Sequence, residues 1–201
     1  MQTNENDKPF SKEVEKKLSE KEVHSRHQFD GRLLQVYTDE VELPDGSRST
    51  RDWIRHPGAS AVVPVFHDGT ILLVKQFRYP PRKLFLEVPA GKLDPGESPE
   101  SAARREFTEE SGYSAGNINK TGEFYPAIGY ADEIIHTYVA WNLSEKGKRE
   151  EPDEFLINYR IPFSEALKMI AKGDIQDGKT ICTLVLAANW WRENGPFPVG
   201  L

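Results

Sequence analysis

The sequence predicts an α/β fold, a mixed sheet with helices on both faces, preceded by a small antiparallel β element. Three observations carry this. Apolar runs of strand length, Ser60–Phe66, Ile71–Phe77 and Leu84–Val88, are interleaved with stretches of helical spacing such as Phe163–Ala171. The segment around Arg105–Glu110 carries start and stop signals of a helix. Ahead of both, Val23–His56 brings apolar residues at Leu33, Val36, Val41, Leu43, Trp53 and Ile54, interrupted by the turn Pro44-Asp45-Gly46. A chain of 201 residues suits one domain with an appended element.

In order, residues 1–21 are polar and charged and read as a disordered or loosely helical leader. Residues 22–57 form the N-terminal β element, too small to be stable alone, so it must pack on the rest of the chain or on a second subunit. Residues 58–195 form the main domain, and 196–201 a C-terminal tail. Within that domain His67-Asp68-Gly69 joins Ser60–Phe66 to Ile71–Phe77 as an expected hairpin. Further strands are expected at Glu123–Ala127, Ile134–Trp141 and Leu156–Tyr159. A helix over Phe163–Ala171 stops at Gly173, and Asp177 caps a last one reaching Asn194 before Gly195-Pro196. Cys182 lies in an apolar run and is expected to be buried; as a lone cysteine it can form no internal disulfide.

The most informative stretch runs from Gly91 to Tyr113. Ser98 is a natural N-cap, Pro99 suits the first helical position, and Gly112 stands just past the end. At about 100° per residue, Glu106, Glu109 and Glu110 share one arc of the helix, with Phe107 on its flank. Carboxylates crowded in this way repel, by about 0.2–0.5 kcal/mol for an i,i+4 pair. An acidic helix face is ordinarily just solvated; a cation between the carboxylates relieves the repulsion, and such hard oxygen ligands suit Mg2+ or Mn2+.

Gly91, Glu97, Arg105-Glu106, Glu109-Glu110 and Gly112, at these spacings and with apolar Phe107 and Tyr113 between and after, reproduce the Nudix box, and the sequence resembles the Nudix hydrolases. Aromatic Phe107 and Tyr113 stand where that family usually has aliphatic residues. The resemblance implies an α/β/α sandwich and Mg2+-dependent cleavage of a nucleoside diphosphate linked to another group. It implies that Glu106, Glu109, Glu110 and the carbonyl of Ala90 hold the metal, Glu109 also serving the catalytic step. Gly91 lets the backbone come close, Arg105 and Glu97 brace the loop against the helix, and Gly112 ends it.

Outside the box, three stretches resemble the subfamily that hydrolyses ADP-ribose and nucleoside diphosphate sugars. Arg51 and Trp53, before the first core strand, offer a phosphate grip and a stacking surface. Arg78, in Gln76-Phe77-Arg78-Tyr79, stands where that subfamily contacts the diphosphate. Tyr125 to Glu133 matches its substrate loop, with Ile128 and Glu133 as contacts. The departure is Ala127-Ile128-Gly129, where ADP-ribose hydrolases carry Ser-Pro-Gly, so a broader or different nucleoside diphosphate sugar is favoured, with substrates of the ADP-ribose, GDP-mannose or UDP-glucose type all open. The resemblance places the general base in the acidic loop Glu150-Glu151-Pro152-Asp153-Glu154; Glu154 matches best, with Glu151 and Asp153 as alternatives. Lys179-Thr180 also resembles a stretch common in the subfamily, without an assigned role.

A net charge of −6 and the lack of a basic stripe argue against nucleic-acid binding. The five histidines show neither zinc spacing nor a nucleophile partner. No apolar stretch approaches the ~20 residues of a membrane span, and a cytoplasmic protein is expected. The subfamily exchanges its N-terminal sheet between two subunits, so a homodimer is expected. The rival readings are a Nudix hydrolase of another nucleotide diphosphate such as NADH, or a non-catalytic nucleotide-sugar sensor; three retained box carboxylates argue against the second.

Overall fold

Side-chain alternation in one strand sets the layering of the larger part of the protein. In the computed structural model, which describes residues 9–147 and 155–201, Ala59–Pro64 is buried at all six positions. Successive side chains of a strand point to opposite faces. Ala61 and Val63 accordingly join one core cluster with Leu184, Ala187, Ala188 and Trp191, while Val62 joins another with Ala103, Phe107, Tyr138 and Ala140. A strand buried on both sides reads as a continuous apolar run, which is why its sequence lacks alternation.

The elements in order are α1 (Lys12–Leu18), β1 (Lys21–Asp30), β2 (Gln35–Glu42), β3 (Arg48–Arg55), β4 (Ala59–Pro64), β5 (Thr70–Arg78), β6 (Lys83–Glu87) and β7 (Ala90–Lys92). They continue with α2 (Pro99–Ser111), β8 (Tyr113–Phe124), β9 (Ile135–Glu145), β10 (Ile157–Pro162), α3 (Phe163–Lys172) and α4 (Gly178–Asn194). The chain divides into two units. One runs to His56 and takes in Ala127–Asp132; the other comprises Pro57–Pro126 and Glu133–Leu201.

The first unit is the antiparallel sheet β1-β2-β3 with α1 and the 127–132 segment. Ile54 N–H donates to the Tyr130 carbonyl at 2.8 Å, and His56 N–H to Asp132 Oδ1 at 2.7 Å. The second unit holds a mixed four-stranded sheet, β7-β4-β9-β8, and an antiparallel three-stranded one, β10-β5-β6. Among the described strands only β4 and β9 pair in parallel. α2 covers one face of the mixed sheet and α4 the other, giving the helix–sheet–helix layering expected from the sequence.

Three expectations need correction. The hairpin between Ser60–Phe66 and Ile71–Phe77 has its turn, with Phe66 N–H on the Thr70 carbonyl at 2.9 Å, but no ladder beyond the Val65–Ile71 bridge. Both edges of β4 are taken, by β7 and β9, so β5 leaves for the other sheet. The strand expected at Glu123–Ala127 is instead β8, which starts directly after α2 and stops at Phe124. It is an edge strand with much of its surface in water, so its sequence is polar, and Pro126 has no N–H to extend the ladder. Cys182 is half-buried: Thr183 and Leu184 carry the inward face of α4, and Cys182 falls on its flank.

α2 and α4 begin where their capping residues place them. Ser98 Oγ accepts from Ser101 N–H at 3.2 Å, and Gly112, at φ 79°, closes α2 in the left-handed region that favours glycine. Asp177 Oδ2 accepts from Thr180 N–H at 2.9 Å to start α4. After α4 the chain turns back onto the core: Phe197, Val199 and Leu201 pack against it, and Trp191 Nε1 donates to the Phe197 carbonyl at 3.0 Å. Phe107 is the anchor that fastens α2 to the sheet, fully buried among Val62, Ala103, Tyr138 and Ala140. Phe107→Ala is expected to cost about 3–5 kcal/mol of stability, read as a lower urea midpoint at unchanged slope.

Candidate active site

One arc of α2 carries the three carboxylates, and the strand β7 with its approach runs alongside. Glu110 is buried, 4% exposed, and its Oε2 accepts from Ala90 N–H at 3.0 Å. Glu106, one turn earlier, lies so close to Gly91 that a Cβ there would overlap its carboxylate. That closeness is the reason for glycine at this position. Gly91→Ala is therefore expected to displace Glu106 and to lower turnover by at least ~10-fold while the melting temperature shifts by only a few degrees.

Arg105 ties the arc together. Its Nε and Nη2 form a fork on Glu97 at 3.0 and 2.8 Å, Nη1 reaches Glu106 Oε1 at 2.8 Å and Glu109 Oε2 at 3.2 Å, and Nη2 also donates to the Lys92 carbonyl at 3.0 Å. The hydrogen bonds to Glu97 come first among the interactions that raise the arginine above its ordinary range. The same contact holds the Glu97 carboxyl below its own. The predicted brace between loop and helix is thus present as a bidentate pair.

The approach to this arc, Glu87-Val88-Pro89-Ala90, is held at every residue by a different part of the protein. Glu87 accepts a fork from Arg78 of β5, with Nε on Oε1 at 2.8 Å and Nη2 on Oε2 at 2.7 Å. Lys179 of α4 also donates to Glu87 Oε2, at 3.1 Å. Val88 N–H donates to Thr180 Oγ1 at 3.1 Å, the Pro89 carbonyl accepts from Val62 N–H at 2.9 Å, and Ala90 N–H goes to Glu110. The Ala90 carbonyl is therefore presented by fixed backbone.

Glu87 is 2% exposed, so its charge must be paired. Burial alone would raise its pKa; Arg78 and Lys179 outweigh that and leave it below the ordinary carboxylate range. Arg78 is raised by the same fork, with Glu110 contributing through its charge. Lys179 in turn reaches Asp177 Oδ2 at 3.0 Å, the residue that caps α4. Sequence reasoning gave no role to Glu87 or Asp177 in the site. The available signal was a lone carboxylate inside the apolar run Leu84–Val88, directly before the box.

The donor set fits a hard divalent cation: three carboxylates and a main-chain carbonyl, all oxygen. Among the described residues no three His, Cys, Asp or Glu side chains converge as a ready-made metal cluster. Arg105 Nη1 instead lies against Glu106 and Glu109, while Ala90 N–H holds Glu110. The guanidinium offsets the mutual repulsion of the arc. Beside it, a cleft of about 450 Å³ is lined by Arg105, Thr108, Glu109, Ser114, Lys146 and Gly147. The acidic stretch with Glu151, Asp153 and Glu154 lies outside the described residues.

The remaining expected substrate residues are spread over both units. Arg51 forks onto Glu20, and Trp53 stacks on Tyr37 at 5.1 Å while its Nε1 donates to Asp39 at 2.7 Å. Arg55 caps that pair, 4.4 Å from the Tyr37 ring centre. Ile128 belongs to the same unit and is 84% exposed. Arg78 and Glu133 belong to the larger unit with the box, Glu133 half-buried just before β9.

Comparison with known proteins gives a consistent picture. The model of the NUDIX domain matches residues 55–184. An ADP-ribose pyrophosphatase of Bacillus subtilis is 41% identical over 167 residues, 82% of this chain and 90% of that protein. A methanol dehydrogenase activator of Bacillus methanolicus is 40% identical over 83% of this chain and 91% of its own length. A GDP-mannose pyrophosphatase of Yersinia enterocolitica is 39% identical over 66% of this chain and 74% of its own. Among solved structures, that of an ADP compounds hydrolase superposes with a TM-score of 0.78 at 23% identity, covering 88% of this chain and 96% of that one, which is a likeness of fold.

Proposed function

The chain belongs to the NUDIX family, and from that premise we propose that it is a Mg2+-dependent pyrophosphatase of nucleoside diphosphate sugars. It cleaves substrates such as ADP-ribose or GDP-mannose to a nucleoside monophosphate and a sugar phosphate. The observation that carries this reading is the seating of Glu110 and Glu106 against the backbone of Ala90 and Gly91, which gathers two carboxylates at one short stretch of main chain. A binding-only protein would have no need of three crowded carboxylates.

Glu106, Glu109, Glu110 and the Ala90 carbonyl would hold Mg2+. When bound, the ion offsets phosphate charge and eases deprotonation of water. The chain's own residues do the rest. Arg105 and Glu97 orient the arc, Arg78 binds the diphosphate, and Glu154 takes the proton of the attacking water. The water oxygen bonds to one phosphorus, the bond from that phosphorus to the bridging oxygen breaks, and the second phosphate leaves with that oxygen. Arg51, Trp53, Ile128 and Glu133 contact nucleoside and sugar.

The names of the relatives support a nucleotide-sugar substrate, with adenine and guanine bases both represented. Isoleucine at 128, in place of the proline of ADP-ribose hydrolases, supports a broader range. The test is a panel of ADP-ribose, GDP-mannose, UDP-glucose and NADH with Mg2+, compared by kcat/KM. Turnover of at least one of the three nucleotide sugars ahead of NADH is expected; NADH as the sole good substrate would overturn the assignment.

The protein acts as a homodimer. Among the described residues of β1–β3 only Asp39 and Val41 are buried, and Phe29 is 57% exposed. A sheet with so little core needs a covering surface. Light scattering after size exclusion is expected to give twice the chain mass; a monomer at micromolar concentration would contradict this.

A further inference from the structure

We infer that Glu87 is a positioning residue for the reaction: from beneath the site it fixes Arg78 so that the guanidinium's remaining edge faces the diphosphate. The inference rests on the function proposed above and goes beyond it by assigning Glu87, Lys179 and Asp177 to that task.

Three observations support it. The fork uses Nε and Nη2 of Arg78, one edge of the planar guanidinium, and among the described residues no acceptor meets Nη1. The arginine side chain is 44% exposed and the glutamate's 2%, so one end of the pair is in solvent and the other is sealed. The sealed end is fastened again: Glu87 Oε2 is shared between Arg78 Nη2 and Lys179 Nζ, and Lys179 is held by Asp177 at the N-terminus of α4. An arginine needed only for stability could point either way. One clamped through its inner edge has lost its rotamer freedom before substrate arrives, and binding then costs less order.

The arrangement also distinguishes Glu87 from a residue that only holds the fold. Removing a buried partner outright leaves an uncompensated charge and threatens folding. Glu87→Asp keeps the charge yet withdraws it by one methylene, so the fork cannot close in the same place. The measurement is a double-mutant cycle of Glu87→Asp and Arg78→Lys, with ADP-ribose and Mg2+ for kcat and KM. Equilibrium binding of α,β-methylene-ADP, a diphosphate that cannot be hydrolysed, is measured in parallel.

With Arg78 in place, Glu87→Asp should raise KM and the analogue's Kd about tenfold, with kcat within threefold of wild type. In the Arg78→Lys background it should change either by less than twofold, because a lysine offers no fork to lose. Lys179→Gln should follow the same pattern with a smaller rise, about threefold, and it carries the test if Glu87→Asp fails to fold. Equal factors in both backgrounds, or a fall in kcat at constant KM, would overturn the inference. If wild type hydrolyses no nucleotide sugar and Arg78→Lys leaves analogue binding unchanged, the underlying function falls too. Wild-type turnover with an additive cycle removes only the role of Glu87.

Discussion

Glu110→Gln is expected to lower kcat by about 10³-fold, roughly 4 kcal/mol of transition-state stabilisation. Glutamine is nearly the same size and keeps an oxygen for Ala90 N–H, so the contact that seats the side chain survives. Only the charge goes. Because the carboxylate is buried beside Ala90, water would not replace what it is proposed to give a bound cation. Binding of Mn2+, followed by its electron paramagnetic resonance signal, should weaken at least tenfold with no turnover needed. The melting temperature should stay within a few degrees, since neutralising a buried carboxylate crowded by Glu106 relieves repulsion as well as removing attraction. Near-normal kcat together with normal Mn2+ binding would exclude Glu110 from the site.

The second large effect belongs to a residue beyond the described segments. Glu154→Gln should cut kcat by at least ~10²-fold, as loss of a general base does, and should flatten the acidic limb of the pH–rate profile. The direction follows from the chemistry: the base must be ionised to take a proton from water, so activity in the native enzyme falls as pH drops through its pKa. Mn2+ binding should be unaffected, which separates Glu154 from the carboxylates of α2. Glu151→Gln and Asp153→Asn should keep kcat within about threefold. If one of these loses turnover while Glu154→Gln keeps it, the base is that residue instead.

What could be read in advance followed locality. α2 was legible because Ser98, Pro99 and Gly112 are its own end signals, and the arc of Glu106, Glu109 and Glu110 follows from helix geometry alone. The brace between Arg105 and Glu97 lies within the same stretch. Pairings made across the chain were hidden. β4 chooses β9, dozens of residues later, over its neighbour β5, and nothing in Ser60–Phe66 announces this. β8 was missed because an edge strand half in water need not be apolar.

The site divides in the same way. Arg78 stands out in the sequence only through the resemblance of Gln76-Phe77-Arg78-Tyr79 to the subfamily, which leads it to be expected at the diphosphate. Its partner Glu87 and the lysine 92 positions beyond that glutamate are brought together only by the fold. A carboxylate in an apolar strand marks a buried charge that must find a cation. Which cation it finds is a fact of three dimensions. The box thus supplies local chemistry, while the support beneath it comes from β5, β6 and α4.

With a divalent cation, this arc is expected to hydrolyse a diphosphate. Product analysis by mass spectrometry, with ADP-ribose in 18O-labelled water, tests it most directly. With Mg2+ the wild-type protein should yield AMP and ribose 5-phosphate, one of them carrying a single 18O, and with excess EDTA neither. Undiminished release of both products in EDTA, or no cleavage of any nucleotide sugar with Mg2+, would contradict the account.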